Sequence, residues 1–183
     1  MAEGTHIFRD QLGSRVANVT TAGQGFFIAA PENTLATTTA ALASINQVRV
    51  AQFVLPFRMI VRTLVSEVTT LGGAGKKYGV GIYNVDKTLL VESGALDANT
   101  AAINATAVTA TTMEPGTYYV AWTSDSTSTI LRAVNTQIQS VLNQGTDTRM
   151  GAAANSGTAG VLPATLGVIT TAGLAPARVV LLP

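Results

Sequence analysis

Cysteine is absent from the 183 residues, and histidine occurs once, at His6. Without thiolates the chain can form neither disulfides nor the usual zinc sites. A Ser/His/Asp or Cys/His catalytic group would have one imidazole to draw on, far from any other chemistry in the sequence. Charge is also scarce. Asp, Glu, Lys and Arg make up 11% of residues, against about 25% in ordinary soluble domains. The net charge is +1, and the densest basic cluster is Lys76-Lys77 beside Gly75. Neutralising phosphates takes clustered cations, so no nucleic-acid partner is expected. No apolar run approaches the ~20 residues of a spanning helix, and Met1 to Arg15 lacks the apolar centre of a signal peptide. No membrane partner is expected, and synthesis and retention in the cytoplasm are.

What is present is apolar and neutral. Hydrophobic residues make up 47%, and Thr, Ser, Asn and Gly dominate the remainder. Soluble monomers keep a more charged surface than this. Such a surface suits a protein whose outside is covered by copies of itself or by other subunits. The length allows one domain with appended segments.

Residues 1–47 read as an extended N-terminal arm. Its apolar residues Ile7, Phe8, Leu12, Phe26, Phe27 and Ile28 have no sustained period and are expected to make assembly contacts. Residues 48–183 read as an antiparallel β-sandwich, because short strands alternate with turn chemistry. Val48 to Val54 stops before Pro56, and Phe57 to Thr70 is β-branched enough to favour strand over helix. In Tyr78 to Val85, the apolar Tyr78, Val80 and Ile82 alternate with Gly79 and Gly81, which leave room for a close neighbour. Thr88 to Glu92 and Ile103 to Thr112 follow. Glu114-Pro115-Gly116 has the composition of a type II turn, leading into Thr117 to Ser124 with Tyr118, Val120 and Trp122 on one face. These two aromatic-aliphatic sets are the expected core. A short helix is predicted near 136–144 from the spacing of Ile138, Val141 and Leu142. Gly151 to Gly160 reads as a loop, and Val161-Leu162-Pro163 and Arg178 to Leu182 as apolar anchors.

Each chemical motif has a plain explanation beside the functional one. Gly72-Gly73-Ala74-Gly75-Lys76-Lys77 lacks the first glycine and the final Ser or Thr of a phosphate loop, and it reads better as a turn. Asp86, Glu92, Asp97, Glu114 and Asp125 sit in or beside turns, where Asp bonds its own backbone. They could in principle supply a glycosidase pair. Asp97, Asn99 and Asp125 could hold calcium, though without EF-hand spacing. Tyr78, Tyr83, Tyr118, Tyr119 and Trp122 could make a sugar platform, but aromatics at period two are more often core. Asn18-Val19-Thr20 and Asn104-Ala105-Thr106 match a glycosylation pattern that a Thr-rich chain produces by chance. No catalytic, cofactor or metal residues are assigned, and no enzyme is expected.

Five segments follow one another as Val50-Ala-Gln-Phe-Val-Leu-Pro-Phe57, Lys77-Tyr-Gly-Val-Gly-Ile-Tyr83, Leu89-Leu-Val-Glu-Ser-Gly94, Glu114-Pro-Gly-Thr-Tyr-Tyr-Val-Ala-Trp122 and Gly160-Val-Leu-Pro-Ala-Thr-Leu-Gly167. In this order they resemble β-sandwich virion proteins of tailed bacteriophages. The resemblance implies a jelly-roll-like module that is often trimeric, placed on the phage head or a fibre, with no catalytic residues. The expected role is capsid decoration or cement. Its partners would be the chain itself, as a homotrimer, and the major capsid protein or other virion subunits. The alternative is a fibre module that binds host-surface carbohydrate.

Overall fold

The structure is a computed structural model and describes residues 27–29, 37–134, 143, 148–172 and 175–183. The strands are Phe27–Ala29 (β1), Thr37–Ala41 (β2), Arg49–Leu55 (β3), Met59–Thr70 (β4), Lys77–Tyr83 (β5), Leu89–Glu92 (β6), Leu96–Asp97 (β7), Ala102–Met113 (β8), Gly116–Ser124 (β9), Ile130–Val134 (β10), Met150–Ala153 (β11), Ile169–Thr170 (β12) and Val179–Leu182 (β13). No helix occurs among the described residues. The helix predicted near 136–144 lies outside them, except for Asn143. Ile7, Phe8, Leu12 and Phe26 lie outside them too.

All named pairings are antiparallel and form two sheets. In the first sheet, β4 carries β8 along one edge. Its other edge is shared by β13 at Thr63–Val65 and β10 at Val68 and Thr70. β1 then pairs β13, and β2 pairs β10. Two strands of the stretch expected as an arm are thus members of this sheet. The second sheet runs β12-β11-β3-β9-β5-β6, with β7 also on β5.

The inner faces of the two sheets share one core. Alternation delivers Ala51, Phe53 and Leu55 from β3, Leu64 and Val68 from β4, and Leu131 and Leu181 from β10 and β13. Tyr78, Val80, Ile82, Tyr118, Val120 and Trp122 all lie in this cluster, and Trp122 is fully buried. At one end of the sandwich the chain crosses between sheets twice, once through Pro56 and once through Pro115. Arg58 donates to Glu114 across the two crossings at 2.9 Å, and the Tyr118 hydroxyl donates to the Glu114 carbonyl at 2.7 Å.

Two turn and loop expectations need correction. Gly116 does not adopt a positive φ, so Glu114-Pro115-Gly116 is not a type II turn, which requires one there. The segment passes from one sheet to the other instead of folding back within one. Residues 151–153 are strand rather than loop, because β11 is bracketed by β3 and β12. A Cβ on Gly151 would lie 1.9 Å from the Thr170 carbonyl oxygen. The small residues there are set by close backbone packing, which a composition reading takes for a loop.

The second sheet is covered again on its outer face. Residues 154–168 lie across it, and Leu162, Leu166 and Ile169 join Val48, Val50, Tyr83, Tyr119 and Ala121 in a second buried cluster. Gly79 and Gly81 receive this layer. A Cβ on Gly79 would lie 2.0 Å from the Gly160 carbonyl oxygen, and one on Gly81 would lie 2.8 Å from Leu162 Cδ1. The close approach expected from these glycines is present. Backbone bonds complete the docking, with Leu89 N donating to Ala164 O and Leu166 N to Lys87 O. The Tyr83 hydroxyl donates to Pro163 O at 2.7 Å.

Candidate assembly surface

Lys77, Asp97, Asp125, Glu92 and Glu114 take part in holding the fold. Lys77 pairs its ammonium with Asp97, while its backbone N–H donates to Asp125 Oδ1 at 2.8 Å. The glycine-rich segment before it is the turn between β4 and β5, with positive φ at Gly73 and Gly75. Glu114 holds Arg58, and Glu92 Oε2 accepts from Leu162 N at 3.4 Å. Among the described residues, no group of three or more His, Cys, Asp or Glu side chains gathers in a way that could hold a metal.

The aromatic rings are closed to solvent. Tyr78 and Tyr83 are fully buried, and Tyr118 and Tyr119 are 9% and 7% exposed. A sugar platform needs open ring faces, and residues 154–168 cover the two on the outer face of the second sheet. Burial raises the Tyr83 hydroxyl above the ordinary phenol range, with a smaller push from the Glu92 carboxylate. Burial likewise raises Tyr78, opposed by its hydrogen bonds to Ser66 and Asn104.

The core also holds one group that the sequence reading passed over. Arg49 is 1% exposed and faces the Trp122 position across β3 and β9. Its Nε and Nη1, and Trp122 Nε1 beside it, have no hydrogen-bond acceptor. Desolvation pushes the guanidinium down to about 10. A buried cation without an acid is costly, and no ion pair of Arg49 occurs among the described residues.

The two outer faces differ. The second sheet is sealed by its own chain, whereas the outer face of the first sheet carries an apolar row across four strands. Register places Ile28 beside Val180, Val180 beside Val65, and Val65 beside Ala105. Leu182, Thr63 and Ala107 form the next row, and none of these residues is fully buried. Charged groups border the rows. Arg132 donates to both Glu67 oxygens, at 3.2 and 2.8 Å. That bond, followed by the charges of Arg132 and Arg178, lowers the Glu67 carboxyl below its usual range. Ile103, next to Glu67 in the ladder, is 70% exposed.

β8 closes this face and pairs only with β4 among the described residues. It has 12 residues, no charge and no proline. The other edge strands are shorter: β1 has 3 residues, β2 has 5, β6 has 4 and β12 has 2. Proteins blunt edges with charge, proline or shortness, and β8 uses none of these over Ala102 to Ala107. Its bulge falls where residues 108–110 stand opposite Arg62, between the Val61 and Thr63 pairings. Beyond it, Thr109 and Thr111 turn toward β6, across a shallow cleft of about 250 Å³.

Comparison of the chain with family models, with curated proteins and with solved structures finds no match.

Proposed function

We propose that this chain is a non-enzymatic structural protein of a tailed-bacteriophage particle, a jelly-roll-like module that decorates the capsid and cements neighbouring subunits. The observation that carries the reading is the inequality of the two outer faces. One is sealed by residues 154–168, and the other presents an apolar row beside a long neutral edge. A surface of that kind serves contacts with other subunits. The low charge of the sequence supports the same view, and the phage setting comes from the resemblance of the strand segments.

The mechanism is mechanical. Copies, expected as homotrimers, bridge adjacent capsid proteins and bury surface against the pressure of packaged DNA. The N-terminal residues Ile7, Phe8 and Leu12 supply an anchor in this reading. The carbohydrate-binding fibre module is the weaker reading, because Tyr83 and Tyr119 offer no open ring.

Co-sedimentation tests the proposal. Labelled full-length protein is mixed separately with capsids lacking it and with host cells. Saturable binding to capsids, with greater capsid survival on heating, supports cementing. Binding to cells and not to capsids overturns it in favour of receptor recognition. Deleting residues 1–26 leaves β1 intact and should lower capsid occupancy if the N-terminal segment is the anchor.

A further inference from the structure

We infer that β8 is a self-pairing edge, and that two copies of this chain join through it about a twofold axis to make one continuous sheet. The inference rests on the assembly reading and names the partner of that surface as a second copy. Three observations carry it.

The first is chemical. Among the described residues the free edge of β8 has no partner strand, and the group that satisfies such a row of backbone N–H and C=O groups is another strand. The second is length. Every other edge strand among the described residues has 5 residues or fewer, while β8 has 12. The edge in the described residues that matches β8 is β8 itself. The third is charge. The strand is neutral along its whole length, so two copies meet without the like-charge opposition that would reject self-pairing.

The bulge opposite Arg62 limits straight pairing to Ala102–Ala107. Within that segment, antiparallel pairing about a twofold axis keeps each side chain on its own face when a residue faces its own copy. Centring on Ala105 places Ile103 against the partner's Ala107 on the outer face. It also extends the Ile28, Val180, Val65, Ala105 row across both copies. Tyr78 holds Asn104 from the inner side, so the strand is braced before any partner arrives. If the basic unit is a trimer, this pairwise contact joins chains of neighbouring units.

The test uses the full chain, which has no native cysteine among its 183 residues. Paired residues across an antiparallel ladder lie about 4.5–5.5 Å apart at Cα, within disulfide range. Ala105→Cys should form a covalent dimer on mild oxidation, while Asp86→Cys, in an exposed hairpin loop, should not. In sedimentation velocity, Ala105→Lys should remove the two-chain contact that the parent chain makes. Equal cross-linking of the two cysteine variants overturns the inference, as does an unchanged mass for Ala105→Lys. Neither readout involves capsids, so failure here is distinguishable from failure to bind them.

Discussion

Gly79 and the Gly160 carbonyl oxygen occupy the same small space, since a Cβ on the one would lie 2.0 Å from the other. The obstacle is backbone, which cannot swing aside as a side chain can. Gly79→Ala is expected to destabilise by about 3 kcal/mol or more, with residues 154–168 displaced from the second sheet. Urea denaturation measures the cost. A change below 0.5 kcal/mol, on the order of a neutral surface substitution, would show that this layer is not tightly docked.

Arg49 leads to the opposite sign. Replacing it with Met keeps most of its volume and removes a buried cation that has no acid beside it among the described residues. Arg49→Met is expected to stabilise the isolated chain by on the order of 1–4 kcal/mol. Because the guanidinium keeps its charge below about 10, the gain should be the same at neutral and mildly acidic pH. A loss of stability would mean that the guanidinium has an acidic partner in solution.

Trp122 sits beside it with no exposed surface. Trp122→Ala leaves a cavity between the sheets and should cost roughly 3–5 kcal/mol. Its fluorescence, as the sole tryptophan, should be that of a buried indole in the parent and shift red on unfolding. A cost below about 1 kcal/mol would place the ring at the surface and reopen the sugar-platform reading.

Alkaline pH probes the buried tyrosines. Burial holds the Tyr78 and Tyr83 hydroxyls above the ordinary value of 10.0, at which they titrate once unfolded. Above that pH the unfolded chain loses protons that the folded chain keeps, so their contribution to stability is full below it and falls as pH rises beyond it. Unfolding midpoints measured from pH 8 to 11 should drop in the upper part of the range. Tyr83→Phe should flatten that drop, and it should cost about 1 kcal/mol at neutral pH through the lost bond to Pro163. An identical pH profile for Tyr83→Phe would rule out a buried neutral phenol at that position.

Both long half-buried strands of the first sheet were legible as strands, Met59–Thr70 through its β-branched content rather than its period and Ala102–Met113 through a weak alternation that matches its burial. Lys77–Tyr83 and Gly116–Ser124 carried a further signal that period-two reasoning did not use. Their apolar residues run on both faces, as in Tyr118-Tyr119-Val120-Ala121-Trp122, because both faces are covered. The identity of the second cover was hidden, since Val161-Leu162-Pro163 reaches Tyr83 across 80 residues of chain and no local pattern records that distance. Arg49 was missed for a related reason. A lone arginine at the start of an apolar run reads as a strand end, and only pairing with Trp122 and Ala152 places it inside. The apolar row was invisible because Ile28, Val180, Val65 and Ala105 come from four separate parts of the sequence.

The place of β13 in the first sheet governs when this protein can fold. Val179–Leu182 lies between β1 and β4, and residues 154–168 seal the other sheet. The second sheet stays uncovered until residues 154–168 have been made, and the first stays incomplete until Val179–Leu182 has been made, so a growing chain carries bare sheet surface until then. Its ladders join distant parts of the sequence, which folds slowly. Closure of the first sheet therefore waits for β13, and the supply of assembly-ready copies is paced by this slow closure rather than by elongation.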